Sequence, residues 1–151
     1  MEKLLVPVDG SQCSFHALDL AIDFAKTNNA EIVLCHVVDL GKAAGMAGAE
    51  PQLLEGCYEE LQDEGDYIIE QATKHIGSAA RVSIQKLEGA PIAEIVRLAA
   101  ELQPHFIVIG SHGRTGFKRF FIGSVAEGVA RGSSVPVMIV PMEHQGKIHA
   151  T

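Results

Sequence analysis

The sequence predicts a doubly wound α/β fold, and three observations carry the prediction. Short apolar runs alternate with amphipathic stretches in the order βαβαβαβαβ, the pattern of parallel strands joined by right-handed helical crossovers. The first and fourth runs, KLLVPV (Lys3 to Val8) and FIVIG (Phe106 to Gly110), are continuously apolar once past Lys3, which calls for helices on both faces of the sheet. A length of 151 residues with 47% hydrophobic content suits one domain with a substantial core and leaves no room for a second.

Each element follows in chain order. KLLVPV ends at Asp9 and Gly10 and reads as a buried strand. Ser11 then caps a helix in which Leu18, Ala21, Ile22 and Ala25 repeat at the spacing of one buried face, and Asn28 with Asn29 marks its exit. EIVLCHVV (Glu31 to Val38) is the second strand. The stretch from Asp39 to Pro51 holds Gly41, Gly45 and Gly48 and is expected to be a mobile surface loop, because glycine weakens any regular element. Leu54, Cys57, Leu61, Ile68, Ile69, Ala72 and Ile76 trace a long amphipathic helix, with Glu59, Glu60, Asp63 and Glu64 expected on its solvated side. VSIQKL (Val82 to Leu87) is the third strand. Gly89 turns the chain, and Pro91 suits the first turn of a helix whose core stripe is Ile92, Ile95, Val96 and Ala99. FIVIG is the fourth strand, Ser124 to Arg131 the last helix, and VMIV (Val137 to Val140), bracketed by Pro136 and Pro141, the fifth strand.

A net charge of −7 and a pI near 5.4 argue against a nucleic-acid or membrane-surface binder, since phosphate backbones reward the opposite sign. Any anion site must be local. Cys13, Cys35 and Cys57 show no CxxC spacing, so neither a disulfide framework nor a zinc site is indicated. The apolar runs are short and no export signal is read, so a soluble cytoplasmic protein without membrane insertion is expected.

Doubly wound folds bind ligands beyond the carboxyl ends of their strands, where the winding reverses. The loops after the first and fourth strands carry Asp9-Gly10 and the stretch from Gly110 to Gly123, and are expected to meet at one cleft. The segment GSHGRTGFKRFFIGS (residues 110 to 124) supplies what an anion site needs. Glycines let backbone N–H groups converge, and Gly123-Ser124 falls at a helix N-terminus, which carries about half a positive charge. Ser111, Thr115 and Ser124 are neutral donors, while Arg114, Lys118 and Arg119 add charge. The segment is neither a Walker A loop nor a GxGxxG turn, and on spacing alone a glycine-rich surface loop with solvated cations fits equally well.

Individual residues also leave alternatives. Asp9 can accept ribose hydroxyls, hold metal-bound water or cap its own turn. His112 can reach a phosphate or sit at the surface, and His36 reads as a core or cleft-edge residue rather than a catalyst. Phe117, Phe120 and Phe121 either close over a ligand or pack between the loop and the sheet or a second subunit. Ser111 beside His112 is the nearest approach to a nucleophilic pair, but it lacks the GxSxG setting and a third member.

These residues resemble the ATP-binding branch of the universal stress proteins. That branch carries G-x2-G-x9-G-[S/T], matched here by Gly110, Gly113, Gly123 and Ser124. LVPVDGS, HVVD, EGAPIAEIV and SSVPVMIVP extend the likeness over almost the whole chain, from residue 1 to 142, leaving out the stretch from Asp39 to Pro51 and a tail, 143–151, expected to be flexible. The resemblance implies a Rossmann-like (adenine nucleotide alpha hydrolase-like) sheet of order 3-2-1-4-5, with adenine near the first two strands. It implies ATP, with Mg²⁺ or Mn²⁺, as the bound cofactor. Carried over by position, Pro7, Val8, Asp9 and Val37 form the adenosine wall, and Gly110, Gly113, Gly123 and Ser124 the ribose and phosphate contacts. Ser111, His112, Arg114, Thr115, Gly116 and Val125 are their neighbours. The resemblance also implies a homodimer, expected to pair through the strand Val137 to Val140. The function it implies is a nucleotide-responsive stress or signalling module with a regulatory protein partner. An enzyme that hydrolyses ATP or transfers from it, and a cyclic-nucleotide binder, are the alternatives.

Overall fold

The computed structural model describes residues 1–113 and 121–142. The expectations for Arg114, Thr115, Gly116, Phe117, Lys118, Arg119, Phe120 and the tail 143–151 lie outside the described residues. Five parallel strands, β1 (Lys3–Pro7), β2 (Glu31–Asp39), β3 (Arg81–Gly89), β4 (Phe106–Gly110) and β5 (Val137–Val140), form one sheet in the order β3-β2-β1-β4-β5. Helices α1 (Gln12–Asn28), α2 (Leu40–Ala47), α3 (Leu54–Ile76), α4 (Pro91–Leu102) and α5 (Ser124–Gly132) cover both faces.

Two separate cores explain why β1 is apolar from Leu4 to Pro7 and β4 from Phe106 to Ile109. Leu4 and Val6 of β1 pack with Ala17 and Leu18 of α1 and with Ile69 and Ile76 of α3. Leu5, between them in sequence, points the other way and joins Ile95 and Leu98 of α4 and Val129 of α5. Successive strand residues face opposite sides, so a strand buried on both sides has no polar position to spare.

The helix boundaries follow from local chemistry. The Ser14 N–H donates to Ser11 Oγ at 3.1 Å and caps α1, and Asn29 ends it in the left-handed region at φ 53°, a conformation asparagine tolerates better than most residues. Pro91 opens α4 at its first turn, where its missing N–H costs nothing.

The glycine-rich stretch after β2 is not the loop expected of it. It folds as α2, followed by a single 3₁₀ turn over Pro51–Leu53. Asp39 caps the helix, its Oδ1 accepting from the Lys42 N–H at 3.0 Å, and Ala43 and Ala47, one turn apart, are buried. Gly41 and Gly45 cost the helix roughly 1 kcal/mol each relative to alanine. A good cap and a buried alanine stripe offset that cost.

Candidate functional site

The winding reverses between β1 and β4, which lie side by side. The chain leaves β1 into α1 on one face and leaves β4 toward α5 on the other. Two loops parting in this way open a cleft of about 340 Å³ at the carboxyl ends of the strands.

One wall comes from β1 and β2. The Val8 N–H donates to Cys35 O at 2.8 Å, carrying the ladder one residue past the strand. His36 Nδ1 lies 2.7 Å from Val8 O; a carbonyl only accepts, so Nδ1 bears the proton. Pro7, Val8 and Val37 line this side. Asp9 turns the corner: its Oδ1 accepts from the Ser11 N–H at 2.9 Å. Capping is therefore one of its roles. Its Oδ2 lies beside Gly113, where an added Cβ would stand only 2.9 Å away.

The opposite wall is the chain on either side of residues 114–120. A Cβ on Gly110 would meet the Cys13 backbone at 2.9 Å, so the bare Cα of this glycine admits α1 close to the end of β4. The Ser111 N–H donates to Val140 O at 2.8 Å, and the Gly123 N–H donates to Ser111 O at 2.6 Å. Those bonds hold Ser111, Gly123 and Val140 together. Ser111 Oγ lies 2.8 Å from His112 Nδ1, and both residues are buried, so of the two alternatives for His112 the surface position does not hold.

Gly123 is the N-cap of α5, and no side chain caps that helix. The first N–H groups of a helix have no intrahelical partner. Here they begin at Ser124 and Val125, both of which line the cleft together with Gly113 and Gly123. A helix end of this kind, without a capping oxygen, is a site for an anion.

The third side was not foreseen in the sequence. Asp39 and Lys42 reach the cleft from the start of α2, and Leu61, Glu64 and Ile68 from α3. Glu64 thus lies at the cleft, not on a purely solvated face. Among the described residues lining the cleft, Lys42 is the one lysine or arginine, against the carboxylates of Asp9, Asp39 and Glu64. Below the floor, burial and then the charge of Glu94 push the Cys35 thiol up to about 12, so it stays protonated and inert near neutral pH. Every described residue expected at the site, from Pro7 to Val125, lines this one cleft.

The match that decides the family spans residues 1–141, which fit the model of the universal stress protein family. The chain belongs to the universal stress protein family. It is 34% identical over 141 residues to universal stress protein MJ0531 of Methanocaldococcus jannaschii, covering 92% of this chain and 81% of the relative. The solved structure of MJ0577 from the same organism superposes with a TM-score of 0.82 at 28% identity, over 95% of this chain and 98% of that one. A crystal structure of a universal stress protein in complex with cAMP aligns at a TM-score of 0.65 and 26% identity, over 93% and 96% of the two chains. In this universal stress protein, no helix among the described residues is long and apolar enough to cross a membrane.

Proposed function

We propose that this universal stress protein binds an adenine nucleotide, ATP with Mg²⁺ or Mn²⁺, and serves as a nucleotide-responsive stress or signalling module in the cytoplasm. The observation that carries the reading is the N-terminus of α5, capped only by the backbone of Gly123 and facing the cleft. In this arrangement the polyphosphate lies against Gly113, Gly123 and Ser124, and the ribose near Asp9 and Gly110. The base then rests on Pro7, Val8 and Val37. The cleft volume falls within the range of small-molecule sites, roughly 300–1,000 Å³. Mg²⁺ at nucleotide sites takes most of its oxygens from phosphate and water with one or two carboxylates. Asp9 is the carboxylate at that end. No group of three metal-ligating side chains occurs among the described residues, so the phosphates themselves would supply the ion's other ligands.

A module fits better than a turnover enzyme. Among the described residues lining the cleft, the nucleophile and base in contact are Ser111 and His112, adjacent residues bonded to each other in a buried position. Sequential neighbours have no strand-turn-helix elbow to aim the hydroxyl. A cyclic nucleotide is the second reading, favoured by the relative solved with cAMP. The state of the bound nucleotide would be read by a second copy of the chain or by a regulatory protein partner.

Thermal unfolding tests the proposal. ATP with Mg²⁺ at about one hundred times its Kd is expected to add roughly 2.7 kcal/mol. For a chain of this size that raises Tm by about 5–10 °C. AMP should raise it less, since it lacks the outer phosphates. No shift from any adenine nucleotide, on protein stripped of bound ligand, overturns the reading. Sustained release of ADP replaces the module by an enzyme, and a larger shift from cAMP than from ATP makes the cyclic nucleotide the ligand.

A further inference from the structure

The ladder between β1 and β2 ends in an unusual way. Cys35 O accepts from the Val8 N–H, so Cys35 turns its backbone polar groups toward β1. In a strand the N–H and C=O of one residue point to the same side, and alternate residues share that side. Val37 therefore also turns its N–H and C=O toward β1. The ladder's next bond would run from the Val37 N–H to Val8 O. Among the described residues that backbone bond is absent, and Val8 O accepts from His36 Nδ1 instead.

The ring that makes this substitution is held from the other side by α3. A Cβ on Gly65 would stand 2.7 Å from His36 Cδ2 and 2.9 Å from Nε2. A bare position in the middle of α3 costs about 1 kcal/mol of helix stability; here it makes room for the imidazole. Val37 lines the cleft beside Pro7 and Val8. Its released N–H and C=O face that space as an adjacent donor and acceptor.

We propose that His36 is a positioning residue for base recognition: its Nδ1–H takes the Val8 carbonyl out of the β1–β2 ladder and leaves the Val37 backbone free to pair with a base edge. An adenine edge presents an exocyclic amino donor beside a ring-nitrogen acceptor, the complement of one N–H and one C=O. The hypoxanthine edge of ITP presents an acceptor and a donor in the opposite order. This inference rests on the proposed adenine-nucleotide site and refines it.

Two measurements test it. In ligand-free wild-type protein, amide hydrogen exchange at Val37 should be fast compared with Ile32 to Cys35 in the same strand, since its N–H has no ladder partner. In His36→Phe, which keeps a ring against Gly65 but has no donor, the Val37 N–H should close onto Val8 O and become protected. Titration calorimetry should show wild type preferring ATP to ITP by about tenfold, the worth of roughly one well-made hydrogen bond. That preference should fall toward unity in His36→Phe. It should persist in His36→Asn, whose amide nitrogen can occupy the place of Nδ1. Loss of ATP and ITP binding in equal proportion would mark a merely structural role and overturn the inference. A protected Val37 amide in ligand-free wild type would overturn it without any variant, even if His36→Phe fails to fold. If wild type binds neither nucleotide, the proposed function fails, while the exchange result still decides the role of His36 in the ladder.

Discussion

Glycines at this site are bare for different reasons. Gly110 accommodates α1, and Gly113 clears the carboxylate of Asp9. A Cβ on Gly123 would stand 3.0 Å from Ser111 O and 3.4 Å from His112 Cα. Both of those atoms are backbone, held by the bonds between Gly123 and Ser111 and between Ser111 and Val140. A side chain at Gly123 must therefore displace the backbone at Ser111 and His112, and it would also intrude on the anion position proposed above. Gly123 itself has φ −62°, which any residue can adopt, so steric contact rather than backbone strain sets the cost. Gly123→Val is expected to lose ATP binding and also to destabilise the fold by about 1–3 kcal/mol, as overpacking typically does. Gly123→Ala should show a milder form of both effects. Urea unfolding followed beside ATP titration checks the pair of effects. A valine variant as stable as wild type would mean that the loop yields freely at Ser111.

Among the elements, α2 is where local sequence and final structure part most clearly. Gly41 and Gly45 within it and Gly48 at its end read as a loop because propensity argues against a helix, yet Asp39, Ala43 and Ala47 decide the outcome. Asp39→Ala should cost about 0.5–2 kcal/mol of local stability. It should show as faster amide exchange across Leu40–Ala47 with little change in β1 or β4. Unchanged exchange in that segment would mean that packing on α3 holds the helix without its cap. The same contrast explains what could be read ahead of the structure. The strands were legible because Leu4, Leu5 and Val6 must be apolar to be buried on both faces, and the ends of α1 and α4 because Ser11, Asn29 and Pro91 act through their own backbone. The site loops were legible for a related reason, since a glycine pattern after a buried strand is a local signal. Lys42, Glu64 and Ile68 were not legible as cleft residues. They reach it only through the packing of α2 and α3, and nothing next to them in sequence marks that placement. The partnership of His36 with Val8 and Gly65 links residues far apart in sequence and is tertiary in the same sense.

At the scale of the whole molecule, the two edges of the sheet are unlike. β3 carries the exposed charges Arg81, Lys86 and Glu88, which discourage pairing with another chain. β5 is VMIV, without a charge, and Met138 on it is 44% exposed. An apolar edge left bare invites a second strand, so β5 remains the proposed dimer seam. Val137 and Ile139 make poor probes of it, because both pack against the core shared with α4 and α5 and lysine there would damage the monomer as well. Met138 separates the two effects. Ser111 N–H reaches Val140 O, and Ile107 N–H reaches Pro136 O. By alternation Met138 also turns its backbone toward β4, leaving the N–H and C=O of Val137 and Ile139 on the open edge. A lysine in place of Met138 keeps that backbone and the inner packing, and sets a charge beside its own copy across a two-fold axis. Met138→Lys should therefore convert dimer to monomer at low micromolar concentration, more completely at low salt, with Tm changed only as far as dissociation accounts for. Light scattering that reports the same dimer for wild type and Met138→Lys would move the interface away from β5, and a wild-type monomer would remove it from the proposal.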